Sequence, residues 1–255
     1  MTGLDFLFWA AGFGEHVLLL LILFIRRRFK VFPVFTALIA SNVARTIALY
    51  FVLRYASRAS YFYSFWSFGI LDTILQLLVV YELYALTFRP LGPWARDVRG
   101  LLVPWVVTAV AVASGLTWLA TPHARLWMQI IVIKGNFFSS ACMSEFLVGI
   151  VVLAVKVGLP WRTHVARISQ GLGAYSLIDV LIEAGHNYSG VDPPTYTTLS
   201  HLRMTSYLVC AAFWIVKLWR NAPDSRSLPE SLRGQLLELQ NMADSDLEKI
   251  RARWI

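Results

Sequence analysis

Long uninterrupted apolar runs constrain this chain more than any other feature. A run of about 18 or more apolar residues is long enough to cross the hydrocarbon core as a helix. Seven such runs can be drawn: Phe6 to Ile25, Val31 to Leu53, Phe62 to Phe88, Leu101 to Ala120, Leu126 to Leu159, Val165 to Tyr188 and Thr197 to Trp219. With 57% hydrophobic and 15% charged residues and a mean hydropathy of +0.59, the 255-residue chain has too little polar surface for a soluble domain of its size. The expected fold is all-α: a polytopic membrane protein, a seven-transmembrane-helix bundle over 1–220, with a cytoplasmic tail over 221–255.

Basic residues set the expected orientation. Arg26, Arg27, Arg28, Lys30, Arg89, Arg96, Arg99, Lys156, Arg162, Arg167, Lys217 and Arg220 fall on one side, and Arg54, Arg58 and Arg125 on the other, twelve against three. The richer side reads as cytoplasmic, which places the N-terminus outside and the C-terminus inside. A net charge of +8 is therefore assigned to loops rather than to a nucleic-acid surface, and no nucleic-acid motif accompanies it. Tryptophans near the span ends, among them Trp9, Trp66, Trp94 and Trp161, suit interfacial belts. Cys142 and Cys210 lie inside apolar runs and read as packed free thiols. Basic residues follow the first apolar run instead of preceding it, unlike a cleaved leader. The localisation expected is a cell membrane, crossed several times.

The tail differs in kind. Ser227 and Glu230 form a capping box, after which Leu232, Leu236, Leu239, Ala243, Leu247, Ile250 and Trp254 recur at helical spacing. Its mixed charges favour packing on the bundle, on a second copy in a homodimer, or on a cytoplasmic partner over lying on the bilayer. Asp192-Pro193-Pro194 reads as a rigid outer turn.

Function is sought among ionisable residues inside the spans, each costing about 2.5–3.5 kcal/mol at mid-bilayer. The expected ligand-binding or ion-pair cluster is Glu15, His16, Arg45, Asp72, Lys134, Tyr175, Asp179, Glu183, His186, His201 and Arg203. Most of them fall at mid-depth or in the outer half, which suggests a polar chamber opening outward above an apolar half. Tyr175, Asp179, Glu183 and His186 fall within about 80° of arc on one helix face. Glu82 and Glu145 lie nearer the cytoplasm and keep a polar path through that half open. No catalytic residue and no cofactor is assigned. Glu183, His186 and His201 are weak metal candidates, because the Glu-x-x-His pair is single where di-metal bundles use two. Weak correspondences (Glu15 with Glu145, Asp72 with Arg203) suggest a three-plus-one-plus-three repeat.

Three readings follow. The first is a receptor-like sensor that binds a small ligand in the chamber and signals to the tail or a partner. In architecture alone it is similar to the membrane modules of bacterial seven-helix sensors. The second is a small-solute or ion transporter using intramembrane carboxylates. The third is an intramembrane metal-dependent hydrolase.

Overall fold

The computed structural model describes residues 3–88, 95–120, 126–157, 163–188 and 193–221, together with Glu238, Met242 and Ser245, which are helical. Residues Met1–Asn221 form one compact unit and Ala222–Ile255 a second. The expected amphipathic tail helix falls almost wholly outside the described residues.

Among the described residues the first unit is all helical and holds seven α-helices: α1 (Gly3–Ile25), α2 (Pro33–Tyr55), α3 (Arg58–Phe88), α4 (Ala95–Leu119), α5 (Trp127–Val157), α6 (His164–Tyr188) and α7 (Pro193–Trp219). Six of them, all but α4, are long and apolar enough to cross a membrane; in α4 the described apolar stretch is the shorter Pro104–Leu119. The chain is thus built as a multi-pass membrane protein.

Helix starts differ from the apolar runs for local reasons. A 3-10 turn over Arg28–Lys30 delays α2 to Pro33, which occupies a first-turn position where its missing N–H costs nothing. Ser57 accepts from the Ser60 N–H, so α3 starts at Arg58, one turn before the apolar run. The Pro193-Pro194 pair, expected to be a turn, opens α7 itself, again because proline is pre-set for the first helical turn.

Side-chain burial is inverted relative to a soluble bundle. On α6, Leu177 and Leu181 are exposed while Asp179 is only 2% exposed. Lipid solvates such leucines, and the interior holds the acids.

The helices form a ring. Neighbours around it are α1, α2, α3, α5, α6, α7 and again α1, while α4 stands outside against α5. Trp105 of α4 donates its indole N–H to the Glu145 carbonyl at 3.2 Å and lies on Gly149, which has no Cβ to obstruct it.

The ring has two layers. The apolar layer draws Leu19, Ile22 and Leu23 from the C-terminal half of α1, and Phe35, Leu38 and Ile39 from the N-terminal half of α2. It continues with Val79 and Leu83 late in α3, Met143 and Leu147 late in α5, Ile168 and Leu172 early in α6, and Trp214 and Leu218 late in α7. Helix directions follow from that list: α1, α3, α5 and α7 run one way, α2 and α6 the other. The neighbours α3 and α5 are parallel, as are α7 and α1. Helix order therefore suits a three-plus-one-plus-three plan. The residue correspondences do not: Glu145 lies between Met143 and Leu147 of the apolar layer, whereas Glu15 lies a turn outside it.

Candidate functional site

The second layer is polar and occupies the other half of the ring. Its centre is Arg203 on α7. The guanidinium Nε lies 2.5 Å from Asp179 Oδ1, and Nη1 donates to Glu183 Oε1 at 2.7 Å. Both acids are on α6, one turn apart, so a single arginine spans two turns of its neighbour. The same guanidinium is hydrogen-bonded to the Tyr175 hydroxyl, one turn in the other direction. Asp179 is also the acceptor for Ser140 on α5, at 2.5 Å.

The network reaches α1 through two aromatic hydroxyls. The rings of Tyr175 and Tyr207 meet edge to face at 5.2 Å, and Tyr207 stacks on His16 at 5.4 Å. His16 Nδ1 lies 2.5 Å from the Gly12 carbonyl, which can only accept, so Nδ1 carries the proton. In the neutral ring Nε2 then accepts from the Tyr207 hydroxyl at 2.6 Å. Glu15 lies within electrostatic reach of Tyr207, and its Oε2 is buried without a hydrogen-bond partner among the described residues.

A parallel chain joins α2, α3 and α5. Asp72 accepts from Gln76 at 2.7 Å and from Asn42 of α2. Gln76 Oε1 accepts from Ser139, and Thr73 donates to Asn136 at 2.7 Å. Arg45 of α2 stands over the Phe65 ring at 5.1 Å and acts electrostatically on both Asp72 and His16. Arg203 acts on Asp72 as well, which links the two chains.

Of the eleven residues singled out from sequence, the structure brings Glu15, His16, Arg45, Asp72, Tyr175, Asp179, Glu183 and Arg203 into this layer. Lys134 makes no hydrogen bond or ion pair among the described residues. His186 stacks on Tyr196 at 4.5 Å and His201 on Phe8 at 5.4 Å, away from a shared centre. Among the described residues no group of three or more His, Cys, Asp or Glu side chains stands close enough to hold a metal ion. Both cysteines are free and buried.

Glu82 has a different task from the polar path expected of it. Its Oε1 accepts from the Val34 N–H at 2.8 Å and its Oε2 from the Phe35 N–H at 3.0 Å. A side chain of α3 thereby caps the first turn of α2, whose own N-cap position is Phe32 and supplies no side-chain bond.

The neutral partners Tyr207, Ser140, Gln76, Asn42, Asn136 and Thr73 escape sequence reasoning. One signal for Tyr207 was available: it follows Arg203 by four residues and so lies on the same helix face.

Beside the network, at the turn between α2 and α3, lies a cavity of about 420 Å³. It is lined chiefly by Leu53, Arg58, Tyr61, Phe62, Phe65 and Trp66. Phe65 is the residue beneath Arg45. No protein-family model, curated protein or solved structure matches the chain.

Proposed function

We propose that the chain is a receptor-like seven-helix membrane protein, with its N-terminus outside, that binds a small ligand from the outer side and converts binding into a change in helix packing. The orientation rests on the basic residues that crowd the Arg26–Lys30 end. The ligand site of this reading is the aromatic cavity at the α2–α3 turn. Its lining suits a small molecule with a flat apolar body, and Arg58 suits an anionic group on that molecule.

One observation carries the reading. Phe65 belongs to the cavity wall and also lies under the Arg45 guanidinium, whose charge acts on Asp72 and His16. A ligand pressing on Phe65 moves a cation against a hydrogen-bonded lattice that joins six helices. Such a lattice couples its members, because Arg203 holds two acids of α6 at once and acts on Asp72 of α3 as well.

The test is a thermal-shift screen of aromatic carboxylates on purified protein, followed by hydrogen exchange. A hit is expected to change exchange in α6 and α7 of the wild type, and Arg45→Gln is expected to bind it while losing the distant change. A hit whose effect stays within α2 and α3 removes the receptor reading.

The carrier reading has its own support. Asp72, Asp179 and Glu183 outnumber Arg45 and Arg203 within the network, and surplus buried acid is what a proton- or cation-coupled carrier needs. Uptake of the hit into proteoliposomes, abolished by Asp72→Asn, separates it from a receptor.

A further inference from the structure

A second cluster lies at the opposite end of the ring, below the apolar layer. There the chain turns from α1 into the 3-10 segment, and α6 begins. Arg27 in this turn is the one non-glycine described residue with positive φ, at 54°. That conformation reverses the chain between Arg26 and Arg28 and leaves both flanking arginines at the bundle end. Arg26 stacks over Trp219 at the end of α7, 4.7 Å from the ring centroid.

Three side-chain nitrogens at this corner are buried and lack a partner among the described residues: Nε of Arg26, Nε of Arg28 and Nε2 of His164. His164 opens α6 and is 8% exposed. The groups are near enough to act on one another: Arg26 on Arg28, and Arg28 on His164. Among the described residues, no carboxylate acts on either Arg28 or His164 there. Two arginines beside an unpartnered imidazole, with no acid among the described residues, make a site for an anion. The start of α6 adds to it. Thr163 Oγ1 accepts from the Ala166 N–H, while the N–H groups of His164 and Val165 have no partner within the helix, and the helix dipole places positive potential there.

The geometry points to a phosphate-binding site formed by Arg26, Arg28, His164 and the first turn of α6. Its ligand is a phosphate group, carried by an anionic lipid headgroup or free in solution. The two arginines offer charge-assisted donors, and His164 Nε2 offers a further polar contact in a spot from which water is largely excluded. The site is independent of the aromatic cavity and of the receptor reading.

Native mass spectrometry and melting of the full chain in neutral detergent test it. The probes are phosphatidylglycerol, phosphatidylcholine and inorganic phosphate. The expected result is a retained phosphatidylglycerol adduct and a raised melting temperature, weakened at least tenfold in Arg28→Gln and in His164→Leu and unchanged in Arg54→Gln at the other end. Arg28→Lys keeps the charge and is expected to bind within a few-fold of wild type, which separates lost recognition from lost folding. Equal protection by inorganic phosphate assigns the site to a soluble anion. Protection by phosphatidylcholine as strong as by phosphatidylglycerol, or wild-type binding in Arg28→Gln and His164→Leu, overturns the proposal.

Discussion

Tyr207 of the last helix donates its hydroxyl proton to His16 of the first at 2.6 Å, and this bond joins α7 to α1 within the polar layer. Its removal has a defined cost. Tyr207→Phe keeps the ring stacked on His16 but leaves Nε2 a half-buried acceptor without a donor. The expected loss is about 1–3 kcal/mol. His16→Leu in the same background is expected to cost little more, since the bond is already gone. A double-mutant cycle on melting checks this, and full additivity of the two losses contradicts the coupling.

Arg203 is the cation whose loss hurts most. Arg203→Gln strands Asp179, which is 2% exposed, and the expected destabilisation is about 3–5 kcal/mol. Adding Asp179→Asn removes the stranded charge and is expected to restore part of it. Folded yield and melting of the single and double variants decide the matter; a double variant no better than Arg203→Gln refutes the pairing.

Glu82 is predicted to behave as a structural acid. Glu82→Gln retains one acceptor oxygen but turns an amide NH2 toward a backbone N–H, so a loss of about 1–2 kcal/mol is expected. Faster amide exchange should appear at Val34 and Phe35, while ligand or transport activity per folded molecule stays near wild type. A selective loss of activity at normal stability would mean that Glu82 belongs to the working site.

Two glycines offer a matched comparison. A Cβ at Gly171 would lie 2.3 Å from the Trp214 indole nitrogen, and one at Gly149 would lie 2.3 Å from that of Trp105. The clashes look alike and should not cost alike. Trp214 is 2% exposed and sits in the apolar layer, whereas Trp105 is 39% exposed on α4 and can swing into lipid. Gly171→Ala is expected to lose about 1–3 kcal/mol, and Gly149→Ala clearly less. Equal melting temperatures for the two variants would show that the α4 contact is as rigid as the ring.

Much of the fold was legible in the residue pattern because bilayer thickness imposes one length scale on every span. The pairing of Asp179 and Glu183 with a cation was partly legible too: spacing put both acids on one face of α6, although nothing in the sequence singled out Arg203 over Arg45 or Lys134. Lys134 and Glu82 mark the limit. Each is an ionisable residue within a span, like Asp179, yet one makes no ion pair among the described residues and the other caps a helix. That difference depends on which helices become neighbours, and hydropathy carries no information about neighbours. Ser140 and Asn136 were invisible for another reason. Small neutral side chains enter apolar helices at little cost, and many of them merely bond their own backbone, as Thr46 does to the Asn42 carbonyl.

The position of α4 has a topological consequence. Six helices joined in sequence would alternate in direction all the way round and bring both chain ends to the same face. Because α4 crosses outside the wall, the chain re-enters the ring at α5 with the sense it had at α1. The start of α1 and the end of α7 therefore lie at opposite ends of the bundle, and a helix that contributes almost nothing to the ring's interior sets that relation.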